Sequence, residues 1–438
     1  AMRRAADEVD PGIRMGFCAG YTSGDMESAD ALALARILAG GTRPFLRLSG
    51  APYWAEMRRF PGQTMPHIVE FTRMQQSWCE AADVDFFAEN DSYPRPRYRI
   101  PAAYMESFDF CTAAAGCPQQ LKYMMDYFSR PDYEAGYLRA HLRNRDTIRE
   151  TAEVMAGLPD AGVYVHEDMR RAAGMALPEE ATDSHIMRAA SFSAASALLS
   201  GLGLATAYRN GGGVAAAFGD SGRTVPLNGQ KGYILDAPAA LEMARRGMDT
   251  GLLSAEPLDA APAYEFFPEF DDRIELNWLD TTGGSLFYRA ALKENAEVLS
   301  VFRDRGDSCP ASYFYVNAEG TPFLVLLFRA DTVLAGGSLF RSYYRQAQLI
   351  DAARRMGAPL PAVVRREPGA YLLCRTDGRR LGVALCNFSL DEMVRPRVEL
   401  AAEWKTARFI GCEGSMNGRE IVLSDVRPYG FAGIMLEA

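Results

Sequence analysis

The chain is poor in lysine, with only Lys122, Lys231, Lys293 and Lys405, and it carries just four histidines in 438 residues. Its formal net charge is −9, the opposite of the basic surface that a general nucleic-acid binder needs. Arginine is abundant beside so little lysine, which reads as coding bias rather than as a phosphate-binding surface. No stretch approaches the ~18 uninterrupted apolar residues of a membrane span. Residues 1–12 are charged and lack an apolar run ahead of a cleavage site, so no secretory leader is expected. The eight cysteines form no C-x-x-C pair. Cys111 and Cys117 lie closest together, at a spacing that matches no metal signature. Cys18, Cys374 and Cys386 fall inside apolar strand patterns, so reduced thiols in a cytoplasmic protein are expected, without a disulfide framework, metal or cofactor. The nucleophile elbow G-x-S-x-G of a Ser–His–Asp hydrolase is also missing.

What is present is a sequence that is 48% hydrophobic, enough for more than one core, since single cores stop growing near ~250–300 residues. Strand and helix patterns alternate through residues 13–155. Strands are expected at 13–20, 43–50, from 84, and at 119–128, with helices at 27–39, 67–82, 107–115 and 133–155. Four such βα units imply a parallel sheet with helices outside it. A second α/β region follows, with strands at 162–169, 204–210 and 321–330 and helices at 185–202 and 342–356. Within it, residues 232–247 read as strand, turn and helix, with Asp236 as the N-cap. The run Gly211, Gly212, Gly213 stands between two strands with no helix after it, which favours a hairpin turn over a phosphate loop. From about Pro361 the pattern alternates at short range, Asp377-Gly378 is a hairpin signal, and a small antiparallel β-sandwich is expected. These changes divide the chain at 1–155, 156–358 and 359–438.

The rest of the chain is organised around residues 84–97, VDFFAENDSYPRPR, a buried-strand pattern running into Glu89, Asn90 and Asp91. In a parallel α/β barrel, chemistry sits where a strand ends and its loop begins, and Glu89 stands at that point. The plainer possibility is a strand-end carboxylate that caps the next helix or pairs with Arg95 or Arg97.

The succession VDPGIRMGF, DVDFFAENDSYPRP and LKYMMDYFSRPDYEAGYLRAHLRNRDTIRE resembles the later barrel strands of the β-galactosidases of glycoside hydrolase family 42. LNGQKGYILDAPAALEMARRGMDTGL resembles that family's second domain, a Rossmann-like module of glutamine-amidotransferase type that lacks amidotransferase activity and serves oligomer contacts. The terminal sandwich fits the third domain. The resemblance implies an α/β protein built of a partial (β/α)8-barrel (the later strands), the Rossmann-like domain and the antiparallel β-sandwich. It also implies a homo-oligomer acting on a carbohydrate, with retaining cleavage of terminal β-galactosides. Glu89 matches the family's nucleophile. Tyr127 and Phe128 match an aromatic strand end, and Glu134 matches a Glu that contacts the sugar. The family's acid/base Glu follows an Asn at the end of the fourth barrel strand, and nothing before Ile13 holds such a strand, so the first barrel half is expected to be absent. Where the family tends to have Trp-Arg, this chain has residues 126–129.

A retaining glycosidase needs two carboxyl groups about 5–5.5 Å apart. Glu89 would be the nucleophile, its ionisation favoured by a hydrogen bond from Arg97 or Tyr127. Asp126 at the neighbouring strand end, or Asp91, would be the acid. Candidate sugar contacts are Glu134, Tyr127, Asp126, Asn90, Trp54 and Arg97. Tyr53 and Trp54 suit stacking on a sugar face, although Trp54 suits packing over the sheet rim equally well. Glu134 has Arg130 and Arg139 as alternative partners. His141 and His166 lack the spacing of a triad or a metal site, and His185 falls near a helix start. Three readings stand side by side. One is a glycosidase whose missing half is supplied upstream or by a second chain. Another is a non-catalytic carbohydrate-binding or assembly protein whose open sheet edge is covered by oligomer contacts. The third is a small-molecule-binding Rossmann module, weakened by the lack of a glycine fingerprint.

Overall fold

The computed structural model describes residues 1–20, 29–56, 64–79, 83–93, 100–117, 119–123, 135–167, 194–276, 286–304, 306–330, 342–367 and 369–438. After α1 (Met2–Val9), strands and helices alternate as β1 (Phe17–Cys18), α2 (Ala31–Ala39), β2 (Phe45–Leu48), α3 (Met65–Trp78), β3 (Asp85–Asn90), α4 (Ala102–Ala114), β4 (Gln119–Lys122) and α5 (Ala135–Met155). The four strands pair in parallel in chain order. α2 begins where the Asp30 carboxylate accepts from the Ala33 amide at 2.8 Å, and it ends at Gly40 with φ +59°, a conformation that costs glycine nothing. The period of two along the strands sends Leu46, Leu48 and Ala88 into the helix layer, where they are fully buried, and Arg47, Phe87 and Glu89 to the other face.

α3 and α4 are not ordinary surface helices. Every residue of α3 from Met65 to Gln75, and of α4 from Tyr104 to Ala114, is buried. One side of each covers the parallel sheet, and the remainder is covered by the later parts of the chain.

Those parts begin with β5 (Asp160–Ala161), which joins a C-terminal sheet before the chain turns to the central one. The central region contains β6 (Val163–Val165), α6 (Ala194–Gly201), β7 (Thr206–Ala207), β8 (Val214–Ala217), β9 (Gly232–Asp236) and α7 (Ala237–Arg245). It continues with β10 (Leu252–Pro257), β11 (Tyr264–Phe267), β12 (Asp272–Glu275), β13 (Tyr288–Leu292), β14 (Glu297–Asp304), β15 (Asp307–Val316), β16 (Pro322–Leu326) and α8 (Tyr343–Arg355). Nine of these strands form one sheet in the order β12-β11-β14-β15-β16-β9-β8-β6-β7, parallel from β16 to β7 and antiparallel on the other side, while β10 and β13 make a separate ribbon. The antiparallel half goes beyond the alternating α/β pattern of the sequence. It is built on the β14–β15 hairpin, which closes at Gly306 with φ +95°.

The Asp236 N-cap is present and does more than cap. One oxygen accepts from the amides of Ala239 and Gly219, both at 2.9 Å, and the other from Ala330 at 3.0 Å. The hairpin expected at Gly211, Gly212 and Gly213 is not there. β7 and β8 lie on opposite sides of β6 and both run parallel to it, so the glycines form a crossover. An Asx turn from Asn210 to the Gly212 amide starts it.

The C-terminal strands are β17 (Ala362–Val364), β18 (Ala370–Thr376), β19 (Arg380–Asn387), β20 (Arg397–Leu400), β21 (Thr406–Ile410), β22 (Gly414–Asn417), β23 (Glu420–Leu423) and β24 (Phe431–Glu437). They form two antiparallel sheets, β17-β20-β23-β22 and β21-β24-β19-β18-β5, around a shared core that includes Leu372, Val383, Leu385, Val398, Ile421 and Ile434. The Asp377-Gly378 turn joins β18 to β19, with the Asp377 carboxylate accepting from the amides of Arg379 and Arg380. All eight cysteines are free thiols. The Cys111 and Cys386 sulfurs, on α4 and β19, lie buried at 3.2 Å from one another, and Cys18 is exposed on the open face of β1.

One carboxylate joins the three layers. Glu70 of α3 is fully buried and accepts from the Thr206 and Tyr208 hydroxyls at 2.6 Å and from the Tyr371 hydroxyl at 2.7 Å. Its neighbour Arg73 donates to Glu70 at 2.7 Å, to the Thr206 hydroxyl and carbonyl at 2.8 Å, and to Asp160 at 3.1 Å. Removing one member of such a buried pair leaves the other charge uncompensated. Glu70→Ala is expected to cost about 3–5 kcal/mol, read as a lower urea midpoint. A midpoint within error of the parent would show that the network does not hold the layers together.

Candidate functional site

The helix-free face of the parallel sheet is built in rows. Cross-strand register places Cys18, Arg47, Phe87 and Gln119 in one row and Glu89 beside Leu121 in the next. At the foot of this face, Asp85 is held between Arg14 and Arg43, each at 2.7 Å, and the Arg43 hydrogen bond leads in holding its carboxyl below the usual range. Above it, the Phe45 and Phe87 rings meet edge to face at 5.6 Å. Arg47 reaches diagonally upward to Glu89, Nη1 to Oε1, at 3.3 Å. The guanidinium offsets the cost of placing a carboxylate that is only 8% exposed.

Aromatic side chains flank that carboxylate. Tyr53 lies in the short turn Pro52–Glu56 after β2, with its ring 5.5 Å from Tyr93 and 6.4 Å from Trp54. Burial pushes the Tyr53 phenol up to about 12, the charge of Glu89 adds to this, and the Trp54 contact opposes it. Trp54 itself is buried, packed against Phe71 of α3 at 5.7 Å. It is therefore Tyr53 whose phenol senses the Glu89 charge, while the Trp54 ring belongs to the core beneath.

Among the residues singled out from sequence, Glu89 and Asn90 are adjacent in β3 and so point to opposite faces. The Asn90 amide is fully buried and donates to the Met105 carbonyl of α4 at 2.9 Å, away from the Glu89 face. Asp91 follows the strand, close enough that its charge also raises the Tyr53 pKa. Arg97, Asp126, Tyr127 and Glu134 lie outside the described residues, as do Phe128 and His185. Sequence reasoning passed over Arg47 and Tyr93. The signal for Arg47 was available, since a charge between Leu46 and Leu48 in a short strand must face away from the side those leucines bury.

His141 has company that its spacing did not announce. It lies with Glu106 and Asp109 so that one ligand-type atom of each falls within 4.8 Å of the others. The Lys122 ammonium occupies this cluster, bonded to Asp109 at 3.0 Å, to Glu106, and at 3.1 Å to His141 Nδ1. Lys122 thus supplies the positive charge that the two carboxylates require, on the helix side of the sheet. His166 sits between the Tyr164 hydroxyl at 2.9 Å and the Thr224 hydroxyl at 3.0 Å. No helix among the described residues is long and apolar enough to cross a membrane.

The fold resembles those of several solved glycoside hydrolases. An α-L-fucosidase, isoenzyme 2 of Paenibacillus thiaminolyticus, superposes with a TM-score of 0.61 at 11% identity, over 99% of this chain and 70% of its own. Gan42B, a GH42 β-galactosidase from G. stearothermophilus, gives 0.57 at 12% identity over 99% and 65%. The cold-adapted β-galactosidase of Rahnella sp. R3 gives 0.55 at 14% identity over 97% and 63%. The chain thus spans roughly two thirds of the length of the enzymes whose fold it shares. No family model matches the sequence, and no curated protein does.

The Tyr53 phenol gives a test of the site geometry. Folding raises its pKa, so the stability it contributes is complete below the ordinary tyrosine value near ~10 and is lost as pH rises through about 12. In a titration of ring-labelled tyrosine by NMR, the Tyr53 signal is expected to remain in the neutral form at pH 11. Glu89→Gln should bring its ionisation to lower pH. An unchanged titration in that variant would separate the two side chains.

Proposed function

We propose that this chain is part of a retaining glycosidase in which Glu89 is the nucleophile, with a terminal β-galactoside as substrate. The observation that carries the reading is the placement of Glu89. It stands at the carboxyl end of a parallel strand, on the helix-free face, paired with Arg47 and with an aromatic side chain beside it. In this reading the four βα units are the later half of a barrel, residues 156–358 are the Rossmann-like oligomerising domain and residues 359–438 the sandwich. Glu89 attacks the anomeric carbon, the aglycone leaves with a proton from the acid, and water then releases the sugar with return of that proton. Asp126 and Asp91 are the candidates for the acid within the chain; the resemblance to family 42 puts it on a barrel strand that these four units do not include. Tyr53, Tyr127, Arg97 and Glu134 would contact the sugar; Asn90 and Trp54, buried on the helix side and in the core, would support the site from behind. The enzyme would act in the cytoplasm as a homo-oligomer.

The alternative is a carbohydrate-binding or assembly protein of the same fold that does no chemistry. An activated 2-deoxy-2-fluoro-β-galactosyl fluoride separates the two, because its leaving group needs the nucleophile and hardly needs the acid. The expected result by intact mass is one added sugar, mapped to the peptide containing Glu89 and missing in Glu89→Gln. No adduct at saturating reagent would remove Glu89 as a nucleophile toward galactosides and leave the binding protein.

A further inference from the structure

Two thiols that the proposed chemistry does not use meet where the amino-terminal layer packs on the sandwich. Cys111 of α4 and Cys386 of β19 are both fully buried, and their sulfurs lie 3.2 Å apart. Register fixes where they stand. Cys386 pairs with Tyr371 of β18 on one side and with Phe431 of β24 on the other. The Phe431 ring stacks on that of Phe110, the residue before Cys111, with centroids at 4.4 Å. Nearer the start of α4, Tyr104 meets Tyr429 at 4.2 Å. Tyr371 is itself bonded to Glu70 of α3 at 2.7 Å. The helix is thus clamped on the row of strands that carries Cys386, and close packing holds the two sulfurs against one another.

A disulfide needs its sulfurs at ~2.05 Å, so closing the bond takes an approach of only about 1 Å. The folded chain protects the pair from reagents. Burial pushes the Cys386 thiol up, and its hydrogen bond with Cys111 adds to this. The thiolate is the form that reacts, so a thiol held in this way is inert once the layers have closed. Oxidation belongs instead to the stage at which α4 docks on β19, when both thiols are still within reach of a small oxidant.

We propose that Cys111 and Cys386 are a redox-dependent cross-linking site, free where thiols are kept reduced and joined when the chain folds beside an oxidised thiol such as oxidised glutathione. One of the two thiolates attacks a glutathione sulfur, the glutathione S–S bond breaks, and one glutathione thiolate leaves with the electron pair. The second cysteine thiolate then attacks the cysteine sulfur of the mixed disulfide and expels the other glutathione. Two electrons and the two thiol protons pass from the cysteines to the two glutathione molecules. The new bond spans 275 positions of the chain, so it strongly restricts the unfolded state. It fastens α4 to β19 beside the tie at Glu70. Glu89 takes no part, and the site stands apart from the glycosidase reading.

The test uses the full chain carrying Cys18→Ser, which removes the exposed thiol from exchange between molecules. It is refolded from urea with oxidised glutathione or with dithiothreitol, alkylated, digested and mapped by mass spectrometry. The expected product is a peptide pair that joins Cys111 to Cys386, two hydrogens lighter than the reduced pair and split by dithiothreitol. The urea midpoint of the oxidised chain should lie above that of the reduced chain. Cys386→Ser should lose both the linked pair and the gain in midpoint. The link is mapped in a chain that keeps both cysteines, so the result holds even where Cys386→Ser fails to fold. No linked pair, links spread over other cysteines, or an oxidised chain with the lower midpoint would overturn the proposal and leave Cys111 and Cys386 as packed thiols alone.

Discussion

The structure depends on a carboxylate that no water reaches. Glu70 lies in a helix buried on all sides, so its charge must be met entirely by the protein. Arg73 meets it within the same helix, and Thr206, Tyr208 and Tyr371 meet it from the other two layers. A carboxylate with three hydroxyl donors and an arginine has one arrangement that meets its own oxygens from all sides, so it fixes how the layers register. The same demand recurs on the far side of the central sheet. There Arg345 of α8, fully buried, meets Glu265 of β11 at 2.5 Å, and Glu265 also accepts from Ser300. Ionic pairs of this kind are weak sources of net stability. Their effect is to penalise every alternative packing.

The candidate site draws on the parallel sheet in a different way. Alternation along β2 and β3 gives the helix layer its leucines and alanine and leaves the other face to Arg47, Phe87 and Glu89. Phe87 stands beside Arg47 in its row and meets Phe45 of the row below, so the guanidinium lies between apolar rings and the carboxylate. Leu121, next to Glu89 in the row, is 43% exposed, while Glu89 itself is 8% exposed.

The parts of this arrangement that a reader of the sequence could find are those encoded locally. The Asp236 cap, the Asp377-Gly378 turn and the strand ending at Glu89 each follow from a few neighbouring residues whose backbone preferences agree. The tie at Glu70 does not. In the sequence HIVEFTRMQQSW, Glu70 and Arg73 look like the wet side of an amphipathic helix, and only partners from distant segments reveal that there is no wet side. The glycines at 211–213 misled for a related reason. Two strands separated by a glycine turn read as a hairpin unless one knows that a third strand, β6, lies between them. The antiparallel half of the central sheet was likewise silent, because β11 and β14 owe their places to pairing across the sheet rather than to a turn motif.

The spacing of the Glu70 contacts has a consequence for synthesis. Tyr371 is 301 positions further along the chain than Glu70. At a ribosomal rate of roughly 5–20 residues per second, that interval lasts on the order of tens of seconds. Through that time α3 has emerged with a charged side that its final partners have not yet covered. β5 waits similarly for β18. The amino-terminal layer therefore cannot settle by itself as it leaves the ribosome. Its final closure waits for the synthesis of Tyr371, and until then Glu70 has only Arg73, Thr206 and Tyr208 to meet it.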